Sequence, residues 1–444
     1  MDGNAWFRRA LPIGWALALA VLAAACGGSS SASSTTGDTA GSTAATTAAP
    51  VTLTVGLFGT FGYKEAGLYD DYMKLHPNVT ITESSVEQEA DYYQALQTHL
   101  AAGSGLSDIQ GVEVGRIAEV VGTQADKFVD FNKFGGAAIK DSFYPWKWAA
   151  ATTKDGATIG VGTDIGPQAI CFRKDLFGAA GISTDRTELA TKWATWQGFI
   201  DVGKQYMAKA TKGSAFTDSV GGIYSAAIGQ SQEQYYDASG NLIYKTNPAV
   251  KSAWDTAVAA SDAGISGKFA QFSTDWNKAF SNGAFATVAC PAWMIGYIKG
   301  QAPDASGKWD VAPIPGGGGN WGGSYLAVPT ASAHQAEAAA LAEWLTAPEQ
   351  QVKMWVAQQH FPSSQTAAAD PSVATATDPY FADAPIGQIF NDSASKLVVP
   401  IIGPKDGVIK TAITNGLVAV EQQGQDPAKA WDKAMSDIDA AING

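Results

Sequence analysis

Between Gly283 and Pro329 the chain gathers the residue types that a site for a flat, half-apolar ligand needs. Three apolar runs read as short strands: Ala284 to Ala289, Trp309 to Ala312, and Tyr325 to Val328. Pro291-Ala292-Trp293 follows the first, and Asn320-Trp321-Gly322-Gly323-Ser324 precedes the third. Indoles at strand ends can cover an apolar ligand face. Gly322, Gly323 and Ser324 can expose backbone amides to its polar edge, and Trp321 sits beside them in a glycine-rich stretch suited to a chain crossing between two lobes. A ligand with buried polar groups also requires acids, amides or a guanidinium close by.

Those partners are expected where the remaining elements deliver them. Val51 to Phe58 alternates and reads as the opening strand. A helix with Leu68, Tyr72 and Leu75 on one face follows, then a strand over Val79 to Glu83, a helix over Asp91 to Ala102, and a strand over Ile109 to Val114. This β-α-β-α-β order predicts a lobe with a mainly parallel sheet, where ligands gather at the carboxyl ends of strands. Gly62 and Tyr63 after the first strand, and Glu113 and Arg116 after the third, are therefore candidate rim residues. Ala157 to Val161 and Gln168 to Phe172 read as strands; Gly162-Thr-Asp164-Ile-Gly166-Pro167 between them reads as a crossing into a second lobe. Helices are predicted over Thr195 to Ala210, Pro248 to Ala263 and Thr274 to Asn282, with a tight turn at Asp237 to Asn241. Ser332-Ala-His-Gln335 has the spacing of a capping box. His360-Phe361-Pro362-Ser363 breaks the Ala-rich helical region after it and marks a third crossing, with His360 a further candidate.

Composition narrows the classes. The 444 residues are enough for two lobes with their own cores, and 46% of them are apolar. A formal charge of −13 argues against nucleic acid and anionic membrane surfaces as partners. Gly317, Gly319 and Gly322 satisfy G-x-G-x-x-G, but the run follows Pro315 and opens a strand, which is the wrong context for a dinucleotide loop. No motif pairs two carboxylates for glycoside chemistry, and four scattered histidines offer no metal pair. No catalytic residue, metal or cofactor is expected.

The N-terminus is a targeting segment. Arg8 and Arg9 precede an apolar run, Leu11 to Leu22, too short for a comfortable membrane span. Leu22-Ala23-Ala24-Ala25-Cys26 resembles the lipobox of bacterial lipoproteins, with Leu one position further from the Cys than usual. Residues 1–25 are then a signal peptide, Cys26 the lipidated residue, and 26–50 a flexible Ser/Thr/Ala/Gly tether. Outside the cytoplasm the two remaining cysteines, Cys171 and Cys290, are more often bridged than free.

Several blocks resemble the family 1 extracellular solute-binding proteins, the carbohydrate-binding subunits of ABC importers such as the maltodextrin- and cellobiose-binding proteins. They are Gly166-Pro167, Phe172-Arg173-Lys174-Asp175-Leu176-Phe177, Thr195-Trp196, Phe280-Ser-Asn-Gly283, Pro291-Ala-Trp293, Lys308-Trp309-Asp-Val-Ala-Pro313 and Asn320-Trp321-Gly322-Gly323-Ser324. The resemblance covers roughly residues 51 to 444. It implies an α/β, two-lobed, periplasmic-binding-protein type II-like fold with three interlobe crossings and a central cleft. Lobe one would take 51–163 and 317–360, and lobe two 164–316 and 361–444. It further implies hinge closure on a sugar, delivery to permease subunits, and a lipid-anchored monomer on the outer face of the membrane. It makes Trp293 a sugar-stacking residue and Asp164 a cleft-facing carboxylate, and it places a stacking aromatic at Tyr235 or Tyr236. The alternatives are the same fold holding a polyol, peptide or glycerol phosphate, or a secreted glycoside-acting enzyme.

Overall fold

Two β-sheets and a short ribbon between them organise residues 49–443, the part of the chain that this computed structural model describes. The signal segment, Cys26 and nearly all of the tether lie outside the described residues. In chain order the strands are β1 (Val51–Phe58), β2 (Val79–Val86), β3 (Ile109–Glu113), β4 (Val161–Gly162), β5 (Asp164–Ile165), β6 (Gln168–Arg173), β7 (Ala215–Thr217), β8 (Phe285–Pro291), β9 (Trp309–Pro313), β10 (Ser324–Ala327) and β11 (Phe361–Pro362).

The first sheet has the order β2-β1-β3-β10-β4, with β1 parallel to β2 and β3, and β10 antiparallel to β3 and β4. Alternation assigns its side chains. Leu326 and Val328 join Leu53, Val55 and Leu57 in one core, while Tyr325 and Ala327 join Val112 and Ile117 in another on the opposite face. The second sheet, β7-β8-β6-β9, has β6 at its centre, antiparallel to β8 and β9. Every residue of β6 is buried; Ile170 and Phe172 enter one core, Ala169 and Cys171 the other. A strand covered on both faces reads as a continuous apolar run, which is why Gln168 to Phe172 was legible. The fold is therefore a two-lobed α/β architecture.

Three crossings join the lobes, and the first touches the other two. In the first, β5 pairs with β11 of the third, Ile165 opposite Phe361. On its other side Pro167 bridges Asn320 of the second crossing, the Trp321 amide donates to the Gly166 carbonyl at 2.9 Å, and the Gly166 amide donates to the Asn320 side chain at 2.9 Å.

Some local expectations shift. The strand expected over Ala157 to Val161 shrinks to β4, because residues before it are used locally: Thr158 bridges Thr152, and the Ile159 amide donates to Ala151. The capping box does not form. The Ser332 hydroxyl accepts from the His334 amide, Gln335 donates to the Thr330 carbonyl, and the helix Gln335–Leu345 starts only at Gln335. Leu75 ends its helix 64% exposed rather than on the buried face with Leu68 and Tyr72. The helix Thr274–Asn282 has the expected bounds, ended by Gly283 at φ 75°, a conformation in which glycine has no Cβ penalty.

Cys171 and Cys290 are joined by a disulfide between β6 and β8, with Cα atoms 5.4 Å apart. Cys171 stands opposite Val288 and Cys290 opposite Ala169, so the two are diagonal neighbours on one face of the sheet. The sequence separation is 119 residues. Closing a loop of that length stabilises by about 5 kcal/mol in the chain-entropy model. The double variant C171S/C290S should lose most of that amount of unfolding free energy, read as a lower urea midpoint, without changing the secondary structure. A midpoint equal to that of the parent protein would show that the bridge does not stabilise the fold.

Candidate functional site

The lobes meet at both ends of the cleft. At one end Gln88 Nε2 of lobe one donates to the Phe272 carbonyl of lobe two at 3.1 Å. At the other, the Arg116 guanidinium lies so close to Gly407 that a Cβ there would stand 2.2 Å from it.

Between those ends the structure brings several of the candidate residues together. Glu113 leaves the carboxyl end of β3 and caps the helix Val114–Thr123, accepting from the Gly115 amide. Burial raises its carboxyl, Glu89 adds to the shift, and Lys410 and Arg116 oppose it. Asp164 sits on β5, nearly buried, and accepts from the Ser324 amide at 3.0 Å and the Thr163 hydroxyl at 2.6 Å. The Ser324 amide is thus spent inside the protein. Tyr63 is buried within an aromatic group with Phe61 and Tyr69, and its hydroxyl is raised by burial and then by Asp164. His360 is lowered by burial, with Asp164 opposing. Gly62, at φ 80°, lets the Gln358 side chain pack where a Cβ would stand at 2.6 Å. Arg116 is engaged: it forms a two-point ion pair with Glu89 at 3.1 and 3.2 Å and lies 4.5 Å over the Tyr93 ring.

The two tryptophans form a corner. Trp293 lies in the first turn of the helix Ala292–Gln301 and donates Nε1–H to the Trp321 carbonyl at 2.9 Å. Their rings are 6.2 Å apart and perpendicular, at 88°. Gly322, at φ 89°, passes the Trp293 nitrogen at a distance that leaves no room for a Cβ. Gly323, at φ 99°, accepts from the Val114 amide and so joins this corner to the Glu113 cap. Both indoles remain half-buried.

Tyr235 and Tyr236 are both buried, each with its hydroxyl engaged. Tyr235 is 1% exposed, and its hydroxyl shares a 3.0 Å hydrogen bond with Tyr224 inside the core of lobe two. The Tyr236 hydroxyl accepts from the Lys405 amide, and Gly403 covers its ring so closely that a Cβ there would stand 2.2 Å away. The cover comes from a loop far along the chain, which no local pattern could announce.

Other residues escaped the sequence. Lys410 and Asp406 stand four apart at the start of the helix Asp406–Gln423. The Lys410 ammonium lies 5.6 Å over the Trp321 ring, and burial pushes the Asp406 carboxyl up to about 7. Lys147 is fully buried, without a hydrogen-bond partner for its ammonium, 3.8 Å over the Tyr325 ring. A Cβ at Gly162 would meet its stem at 3.0 Å, and one at Gly323 would meet its ammonium at 3.2 Å. Its only signal was a lone cation inside Pro145-Trp146-Lys147-Trp148.

Residues 67–382 match the family described as bacterial extracellular solute-binding protein. The chain belongs to that family. Members of this family are binding proteins with an extracytoplasmic place of work, and among the described residues no helix is long and apolar enough to cross a membrane. This solute-binding protein is also 43% identical to a crystal structure of an extracellular solute-binding protein of family 1, over 88% of this chain and all of that one, at a TM-score of 0.76. It is 29% identical, over 290 residues, to the lactose-binding protein of Rhizobium radiobacter; the match takes in 62% of this chain and 64% of the relative, less than two thirds of its length. The ABC transporter associated binding protein of B. animalis subsp. lactis Bl-04, solved with β-1,6-galactobiose, shares the fold at a TM-score of 0.76 and 20% identity, over 88% of this chain and 96% of that one.

Burial pushes the Lys147 ammonium from its ordinary 10.5 down to about 8. Asp164 and Glu113 oppose the shift only in part, so the folded protein carries the net cost of this buried charge below about pH 8 and sheds it as pH rises toward 10.5, where the unfolded chain also deprotonates. Lys147→Met should be more stable than the parent protein at pH 7 by roughly 1–3 kcal/mol. The difference should narrow by pH 10, as read from urea unfolding at the two values. A variant less stable at pH 7 would show that the ammonium has a partner.

Proposed function

We propose that this protein captures a sugar, most readily a di- or oligosaccharide, between its lobes and delivers it to the permease of an ABC transporter. The observation that carries the reading is the Trp293–Trp321 corner, tied through Gly323 and Ser324 to Glu113 and Asp164. A pyranose has C–H faces and a hydroxyl edge. Indoles suit the faces, and carboxylates suit the edge as two-oxygen acceptors. The lactose and β-1,6-galactobiose named for the similar proteins support a neutral saccharide as the guest.

In this reading the moving bodies are 51–163 with 317–360, and 164–316 with 361–444. They rotate about the three crossings, and the ligand favours the closed form because it contacts both. Trp293, Trp321, Asp164 and Glu113 bind directly. Tyr63 and His360 support Asp164, and Gly62, Gly322, Gly323 and Ser324 shape the backbone around them. Residues 1–25 act as the signal peptide, and acyl chains on Cys26 hold the monomer at the outer face of the cell membrane through the tether.

The test is a calorimetric panel of galactose, lactose, β-1,6-galactobiose, maltose, cellobiose and raffinose against the tetherless protein. At least one di- or oligosaccharide should bind, and the protein should contract in solution scattering if it begins open. Trp293→Ala should weaken the tightest sugar by roughly 1–3 kcal/mol while remaining folded. A panel without a binder, or a folded W293A of unchanged affinity, would overturn the site.

A further inference from the structure

The loop that leads into the helix Thr274–Asn282 holds two non-glycine residues in the left-handed region, Lys268 at φ 59° and Phe272 at φ 64°. For a bulky side chain that conformation is an outlier, and it persists only where its surroundings over-determine it. Here they do. On one side of Phe272, Gln271 donates to the buried Asp218 carboxylate at 2.8 Å; on the other, the Ser273 hydroxyl accepts from the Trp276 amide and caps the helix.

The twist has two results. The Phe272 carbonyl faces lobe one and accepts the Gln88 bond across the cleft. The half-buried ring lies nearly parallel to Trp293, at 25° and 6.2 Å, backed by Trp276 at 5.0 Å and by the edge of Tyr297 at 6.0 Å. Trp321, Trp293 and Phe272 thus form a run of neighbouring half-buried rings, perpendicular at the first step and nearly parallel at the second, each centroid 6.2 Å from the next. The run begins at Trp321 in the second crossing and ends at Phe272, whose carbonyl takes the Gln88 bond from the other lobe.

We infer that Phe272 is a ligand-stacking residue that forms a second ring subsite, and that it selects for saccharides of at least two rings over the monosaccharide. This rests on the sugar-binding reading above. One indole covers the face of a single pyranose; a wall continued by a further aromatic ring serves a guest that also continues. The position of Gln88 assigns that subsite to the closed form, with the second ring held beneath the Gln88–Phe272 bond.

Three variants test the role. Phe272→Gly keeps the backbone twist, which glycine adopts freely, and removes the ring. Phe272→Leu keeps apolar bulk against Trp276 without a flat face. Phe272→Tyr keeps the face. The readout is affinity for the tightest di- or oligosaccharide of the panel and for the monosaccharide it contains, with folding checked by circular dichroism. F272G and F272L should each lose about tenfold or more on the longer sugar and change by less than about twofold on the monosaccharide, while F272Y stays within about threefold of the parent protein on both. Equal losses on both sugars, or a folded F272L that binds the longer sugar like the parent protein, would make the ring a core filler and overturn the inference alone. If the parent protein bound no sugar of the panel, the reading beneath it would fall as well.

Discussion

Main chain pressed against main chain at the crossings is the constraint on which the rest depends. A Cβ at Gly166 would stand 1.9 Å from the Trp321 carbonyl oxygen, and one at Gly323 would stand 2.6 Å from the Asp164 carbonyl. With no side chain between them, the strands exchange hydrogen bonds directly. That proximity places Trp321 beside Trp293, puts the Ser324 amide on the Asp164 carboxylate, and links Gly323 to the helix that Glu113 caps. The site is an outcome of how closely the crossings approach.

Charge within the cleft follows one rule. Burial raises the carboxyls of Glu113 and Asp406 and lowers the basic groups of His360, Lys410 and Lys147. Each group is pushed toward its neutral form, whichever sign it carries. Arg116, the strongest cation present, is already matched by Glu89.

Much of the architecture was legible because it is local. Alternation marked β1, a continuous apolar run marked β6, and glycine or proline marked each crossing. The Trp293 and Trp321 pair was visible as two indoles at chain reversals. What escaped depends on distant partners. Whether a tyrosine offers its ring is decided by Gly403 at Tyr236 and by Tyr224 at Tyr235, and no neighbour in sequence reports either contact. Phe272 carried no signal at all, because its conformation is imposed by anchors at Asp218 and by the cap of the following helix. Ser332 and Gln335 had the right spacing for a capping box, but Thr330 competed for the glutamine.

The bridge between β6 and β8 has a consequence for biogenesis. Its sulfurs belong to neighbouring strands of one sheet, yet the chain between them includes β7 and several helices of the same lobe. A reducing cytoplasm does not sustain such a bond. The strap is therefore fastened after export, once both strands have reached the oxidising side and found their register. Until then the second sheet holds together by its strand ladders and packing, without a covalent link between β6 and β8.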